Sequence, residues 1–164
     1  MYSVCRISFE EIYDVWQTKL WPGMEDIKKL STLTIKDNKL VVKKKYISRY
    51  LTTVACFGLK YTSHYCEEKE EIVGVNSGAQ CAFELYRSRG LWINPKHRGL
   101  GLSKILLNAV VNEGKNRRCT EIWSLPKKDS LHAYLSVGFE KQSDWIEDDV
   151  KFGPNCIVTR PIDL

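Results

Sequence analysis

Gly90-Leu91-Trp92-Ile93-Asn94-Pro95-Lys96-His97-Arg98-Gly99-Leu100-Gly101-Leu102-Ser103-Lys104 runs on into Ile105-Leu106-Leu107, and the rest of the chain is arranged around it. Trp92 and Ile93 supply the bulk that favours a strand, and Pro95, with no N–H to donate, ends the ladder. Gly99 and Gly101 follow, one residue apart. From about Gly101 the spacing predicts an amphipathic helix with Leu102, Ile105, Leu106 and Ala109 on its inner face. Strand, glycine turn and helix start together form a receptor for phosphate. Glycine lets the main chain come close to a ligand, the first-turn N–H groups have no partner inside the helix, and the helix dipole favours an anion there. Arg98 and Lys104 bring positive charge to the same place. The loop is therefore expected to hold the pyrophosphate of a nucleotide-like cofactor.

Working outward toward the N-terminus, residues 2–7 alternate as a short strand. Ser8, with Glu11 three residues on, makes a capping-box pattern for a helix to about Leu20 that buries Ile12, Val15 and Trp16. Trp21-Pro22-Gly23 breaks that helix, and residues 24–30 read as a second short one with Ile27 and Leu30 inward. Residues 31–50 are the least legible segment: a turn signal at Asp37-Asn38, a valine pair and a basic run fit either a flap over a substrate site or a long connection. Strands are expected over 52–61 and 72–75, around a charged hairpin tip at Glu67-Glu68-Lys69-Glu70. Asn76-Ser77-Gly78 would close the second, and a longer strand over 83–93 leads into the glycine loop. Beyond the helix, residues 119–125 read as a strand stopped by Pro126. Asp129 or Ser130 then caps a short helix through Val137, Gly138-Phe139 ends it, and strands at about 139–144 and 155–161 finish the chain. This order predicts a mixed α+β sheet in one domain spanning residues 1–164, not a doubly wound sheet.

Other phosphate loops fit less well. A P-loop needs Gly-x-x-x-x-Gly-Lys-Ser/Thr, and Gly99-Leu100-Gly101-Leu102-Ser103-Lys104 has neither that spacing nor that order. A dinucleotide fingerprint needs Gly-x-Gly-x-x-Gly on a tight strand-to-helix turn. Here Lys104 takes the third glycine's place and Pro95-Lys96-His97-Arg98 intervenes, although Glu121 stands about where a ribose-binding acid would. The stretch closely resembles the acetyl-CoA loop of the GNAT superfamily of N-acetyltransferases, whose pattern Arg/Gln-x-x-Gly-x-Gly/Ala is met by Arg98, Gly101 and Ser103, with serine a small departure in the last slot.

The resemblance implies a GNAT-type α+β fold: a mixed, mostly antiparallel seven-strand sheet, splayed centrally and flanked by about four helices. It implies that Arg98 and the main chain of Gly99, Leu100, Gly101, Leu102, Ser103 and Lys104 hold the CoA pyrophosphate. Leu91, Trp92 and Ile93 would pair with the pantetheine arm like an added strand and present an N–H to the thioester oxygen. A second block covers Lys127-Lys128-Asp129-Ser130-Leu131-His132-Ala133-Tyr134-Leu135-Ser136-Val137-Gly138-Phe139. It is similar to the family's Asn-x-x-Ala-x-x-x-Tyr-x-x-x-Gly-Phe, with Tyr134 and Gly138-Phe139 in matching positions. Ser130 replaces the usual Ala. Lys127 replaces the usual cofactor-contacting Asn, where it would meet a CoA phosphate instead.

The activity implied is transfer of an acetyl group from acetyl-CoA, as co-substrate, to an amine acceptor, directly in a ternary complex. Positioning supplies much of the rate in such a transfer. The resemblance implies that Tyr134 protonates the departing sulfur; pattern alone favours a core tyrosine sharing the face of Leu131, and the family spacing reverses that preference. Glu84 is the candidate base, on the strand leading to the loop, with a solvent-facing glutamate as its bland counterpart. Glu25 and Asp26, beside Trp16 and Trp21, would either line an acceptor pocket or lie on the surface. Arg87 and Arg89, if they face the acceptor groove, favour a substrate carrying a carboxylate or phosphate. Cys81 and Cys119 read as core residues.

The bulk numbers exclude several classes. At 164 residues the chain can bury a real core, and 43% hydrophobic with 27% charged residues is ordinary for a globular protein. No apolar run approaches the roughly 20 residues that span a bilayer, and the N-terminus lacks a secretion-signal pattern. Six scattered cysteines without a CxxC pair, and three histidines far apart, argue for free thiols in a reducing, cytoplasmic setting and against a metal site. The net charge of +5 is clustered at Lys43-Lys44-Lys45, at Lys115 with Arg117-Arg118, and at Lys127-Lys128. Aromatic residues are not interleaved with these clusters, so nucleic acid is a weaker partner than a phosphate-bearing ligand. A non-catalytic CoA- or protein-binding module and a nucleic-acid-modifying acetyltransferase remain as alternatives. The chain is expected to be a monomer, or a homodimer paired through its last strands, with no membrane partner.

Overall fold

Local chemistry at the N-terminus does what its residues predict. β1 (Tyr2–Arg6) leads to Ser8, whose hydroxyl accepts from the Glu11 N–H at 3.1 Å while the Glu11 carboxylate accepts from the Ser8 N–H at 3.2 Å, so α1 (Phe9–Val15) starts on a complete capping box. A π-helical turn, Trp16–Leu20, continues it and buries Trp16. The computed structural model describes residues 1–24, 26–147 and 153–163 of the protein.

The expected second helix does not form. Residues 26–28 carry no regular secondary structure, although Ile27 and Leu30 are buried as the sequence indicated. The least legible segment is a two-stranded hairpin, β2 (Leu33–Lys36) with β3 (Lys39–Val42). Asp37 and Asn38 turn it at φ 52° and 59°, the left-handed pair that a two-residue hairpin turn requires. A 3-10 turn, Ser48–Thr53, leads into β4 (Ala55–Ser63), which pairs antiparallel with β1 and with β5 (Cys66–Ala82).

The β4–β5 hairpin turns at His64 and Tyr65, not at the charged run after it, which lies inside β5. Asn76-Ser77-Gly78 does not end β5 either. Asn76 is wholly buried and bonded to the Ser88 hydroxyl, and a Cβ on Gly78 would run into the Tyr86 ring. These small residues therefore serve close packing here and no turn.

β6 (Leu85–Ile93) pairs antiparallel with β5, and its first three residues pair parallel with β7 (Glu121–Ser124). α2 (Leu102–Asn116) connects β6 to β7 across one face, burying Leu102, Leu106, Leu107, Val110 and Val111. The buried stripe is rotated from the expected one: Ile105 is exposed, and Leu107 and Val110 take the core. α3 (Leu131–Leu135), β8 (Glu140–Lys141) and β9 (Val158–Pro161) follow, with β9 between β7 and β8.

The sheet order is β1-β4-β5-β6-β7-β9-β8, seven strands with one parallel junction. With the helices on its faces it is the mixed α+β architecture expected from the sequence. α2 and α3 share the main core with one face of the sheet; α1 packs against Cys56, Val75 and Trp92, and the β2–β3 hairpin against Trp123 and Ile157. Among the described residues no helix is long and apolar enough to cross a membrane, and no group of His, Cys, Asp or Glu is placed to hold a metal ion.

Candidate active site

The parallel junction is where the sheet opens. β6 and β7 pair only from Leu85↔Glu121 to Arg87↔Trp123, after which β6 runs on alone on that side through Ile93. The freed edge carries backbone donors and acceptors beside open space, the geometry that accepts an added extended chain. A bulge marks the same stretch. Val75 pairs with Trp92 and Ser77 with Arg89, so Gly90 and Leu91 together face Asn76 alone. Gly90 sits at φ 80°, a Cβ there would strike the Trp16 indole, and Trp16 Nε1 donates to the Gly90 carbonyl at 2.9 Å. The bulge is thus pinned from outside the strand, by a residue on the π turn.

Past Ile93, a 3-10 turn at Pro95–His97 carries the chain to the glycines. Asn94 caps that turn by accepting from the Lys96 N–H at 3.0 Å, and Arg98 Nε donates to the Ile93 carbonyl at 2.9 Å. His97 packs against the rings of Tyr2 and Tyr61, with Nδ1 2.8 Å from the Tyr2 hydroxyl, which ties the loop to β1 and β4. Gly99 and Gly101 have φ of 79° and 72°, with nothing within 4 Å of where a Cβ would stand. Gly101 is the N-cap of α2 and offers no side-chain cap; the Lys104 N–H turns back to the Gly101 carbonyl at 3.3 Å, and the Leu102 and Ser103 N–H groups are left without an intrahelical acceptor.

A cavity of about 540 Å³ lies over this loop and reaches α3. Leu91, Trp92, Ile93, Arg98, Gly99, Gly101, Leu102, Ser103, Lys104 and Lys127 all line it, so the structure brings together ten of the expected cofactor contacts. Leu100 is the exception; its side chain is exposed and lies outside the lining. Trp92 contributes through its main chain, its ring being buried against the α1 side.

A second cavity, about 430 Å³, adjoins the first across Leu20, Leu91, Lys127 and Ser130 and holds Tyr134 in its wall. Tyr134 Oη is 3.0 Å from Ser124 Oγ and 3.5 Å from Ser88 Oγ. Ser124 also reaches the Ser88 carbonyl at 2.7 Å, and Ser88 reaches the Asn76 side chain. Burial pushes the phenol pKa up, and the hydrogen bonds with Ser124 and Ser88 and the charge of Arg87 pull it back only in part. The hydroxyl therefore carries its proton at neutral pH and has a partner able to stabilise it once the proton is gone.

The model of the Acetyltransferase (GNAT) family matches residues 25–139, which contain the glycine loop, the splayed junction and Tyr134. The chain belongs to the GNAT family. No curated protein matches it. Its fold is similar to those of solved GNAT-type proteins of low identity. The IAA acetyltransferase from Bacillus cereus superposes with a TM-score of 0.66 at 15% identity, covering 98% of this chain and 99% of that one. A GNAT family acetyltransferase from Elizabethkingia anophelis with acetyl-CoA bound gives 0.58 at 16%, covering 98% and 97%. The ribosomal-protein-S18-alanine N-acetyltransferase from Escherichia coli gives 0.59 at 13%, covering 100% and 96%.

Within this GNAT domain some expected residues stand elsewhere. Glu84 is not on β6 but in the turn before it, at φ 55° and exposed. Eight residues of strand put it about 26 Å from Trp92, and its carboxylate faces Thr120 at 3.5 Å. Asp26 is exposed and lines neither cavity; Glu25 lies outside the described residues. Arg87 and Arg89 do line the second cavity, on the side of the hairpin and π turn. Two residues that matter to the site carried no short-range signal: Gly90, whose bulge depends on Trp16, and His97, whose anchor is Tyr2.

Proposed function

We propose that the protein moves an acetyl group from acetyl-CoA to an amine acceptor in a ternary complex. The observation that carries the proposal is the convergence of three features: an open β6 edge, a glycine turn with no side-chain cap, and a protonated tyrosine in the wall of the adjoining second cavity. The open space beside Gly99 and Gly101 leaves room for a diphosphate against the main chain, and Arg98, Lys104 and Lys127 line the same cavity with positive charge. Acetyl-CoA supplies a thioester whose carbonyl carbon accepts the amine.

In this reading the main-chain N–H groups between Leu91 and Ile93 that point to the freed side of β6 are the available donors to the thioester oxygen as it gains negative charge. The C–N bond forms as the C–S bond breaks. The leaving sulfur takes its proton from Tyr134, and solvent restores that proton through the Ser124 and Ser88 hydroxyls. Among the described residues lining the second cavity there is no carboxylate or imidazole, so the acceptor nitrogen sheds its proton to water. Glu84, at the far end of β6, has no part in this scheme. The test is acetyl-CoA-dependent thiol release against a panel of primary amines: turnover with at least one supports the proposal, and acetyl-CoA binding without turnover on any refutes it.

A further inference from the structure

Arg87 is a largely buried cation with no carboxylate partner among the described residues. Its Nε and Nη1 are buried without a hydrogen-bond partner, and the guanidinium stacks over the Trp123 ring at 4.8 Å. A desolvated, unpaired charge costs several kcal/mol in general, and proteins pair such groups or give them to a ligand. The second cavity supplies the ligand space. Its described lining carries Arg87, Arg89 and Lys127 and no Asp or Glu, so its field is positive throughout.

Arg89 is already held: Nη1 donates to the Lys28 carbonyl at 2.7 Å, and the guanidinium lies against Trp16 and Trp21. That leaves Arg87 as the guanidinium with open donors, and a carboxylate on the acceptor is a group suited to it. Burial pulls the Arg87 pKa down to about 10, so it stays charged at neutral pH. Asn155, in the lining of the same cavity, adds a third buried atom, Oδ1, with no hydrogen-bond partner among the described residues, a place for an N–H or O–H of the substrate.

We infer that the acceptor is an amine that also carries a carboxylate, and that Arg87 binds this carboxylate through its unpartnered guanidinium donors in the second cavity. This rests on the proposed acetyl transfer and names the substrate class of that site. Arg87 here selects the acceptor and takes no part in the acetyl transfer itself.

The test compares α-, β- and γ-amino acids and short dipeptides, each with its carboxamide, its decarboxylated amine and, where one exists, its phosphonate, in acetyl-CoA-dependent thiol release. At least one carboxylate acceptor is expected to exceed its carboxamide in kcat/KM by about 30-fold or more, mainly through KM, as for a buried charge that loses its partner. Arg87→Met should bring that ratio below about 3-fold with acetyl-CoA affinity by calorimetry unchanged, which also shows that the variant is folded. Arg87→Lys, retaining charge without the guanidinium fork, should fall between. The inference is overturned if carboxamides or phosphonates serve as well as carboxylates, if the ratio survives in Arg87→Met, or if no carboxylate acceptor is used although acetyl-CoA binds. Failure of the wild type to bind acetyl-CoA at all would instead refute the acetyl transfer on which the inference rests.

Discussion

Removing the Tyr134 hydroxyl should separate chemistry from folding, because every group it touches has somewhere else to turn. In Tyr134→Phe, Ser124 Oγ keeps the Ser88 carbonyl at 2.7 Å, and Ser88 Oγ keeps the Asn76 amide at 3.0 Å. No buried polar atom is orphaned. The ring itself stays edge-on to Phe139 with its centroid 5.2 Å away, so packing is retained. The stability loss should therefore be about 1 kcal/mol or less, the net value of one neutral hydrogen bond, and Tm should fall by about 2–4 °C. The rate should suffer far more. A positioned acid contributes about 10²–10⁴-fold, so kcat should drop at least about 100-fold while the calorimetric Kd for acetyl-CoA moves less than about 2-fold.

The pH profile gives a second signature. An acid acts only while protonated, and Tyr134 has a pKa raised above its ordinary 10.0 by burial. Wild-type kcat should thus show no falling limb due to this group between pH 7 and 10, only a rise as the acceptor amine loses its proton. The reasoning is refuted if Tyr134→Phe keeps kcat within about 3-fold of wild type while folded.

Three further outcomes follow from the packing. Gly90→Ala adds a left-handed penalty of about 1–2 kcal/mol to overpacking of about 1–3 kcal/mol against Trp16; calorimetric melting should fall by roughly 5–15 °C. Gly101→Ala, with open space around it, should lose only the first of these, and a melt as damaged as that of Gly90→Ala would contradict the geometry. Glu84→Gln should leave kcat/KM within about 2-fold across pH 6–9, since the residue sits about 26 Å from Trp92; loss of an ionisation from the profile would restore it as the base. Burial raises the Cys56 and Cys119 thiols to about 11 and the Cys156 thiol as well. Iodoacetamide on the native protein at pH 8 should leave these three unmodified by peptide mass analysis, and rapid labelling of any of them would show that it is neither buried nor protonated.

How much of this was legible in the sequence depended on how local the cause was. The glycine loop was legible because its demands are local: left-handed backbone at Gly99 and Gly101, and a helix beginning at once. The capping box at Ser8 and the turn at Asp37-Asn38 were legible for the same reason. Features set across the fold were not. Asn76-Ser77-Gly78 has the composition of a turn, yet Tyr86 and Val110 from other elements require its small side chains inside a strand. Residues 24–30 have helical spacing, but Ile27 and Leu30 are buried without a helix around them, Ile27 packing against the α1 side of the sheet. Glu84 looked like a strand residue until Phe83 and Glu84 proved to be the turn itself. Gly90 reads as strand and lies in β6, but its bulge is not legible because the cause, Trp16, is 74 residues away. The acceptor cavity combines the π turn, the hairpin and the sheet junction, and in the sequence only Arg87, Arg89, Trp21 and the flap reading of residues 31–50 hint at it.

The most direct measurement is isothermal calorimetry of the purified protein with CoA and, in parallel, with pantetheine, which has the same arm but no diphosphate. If main-chain N–H groups at residues 99–104 hold the diphosphate, CoA should bind at least about 100-fold more tightly than pantetheine, the difference of two or more charge-assisted hydrogen bonds. Equal affinity for the two, or no heat with either, would contradict the account.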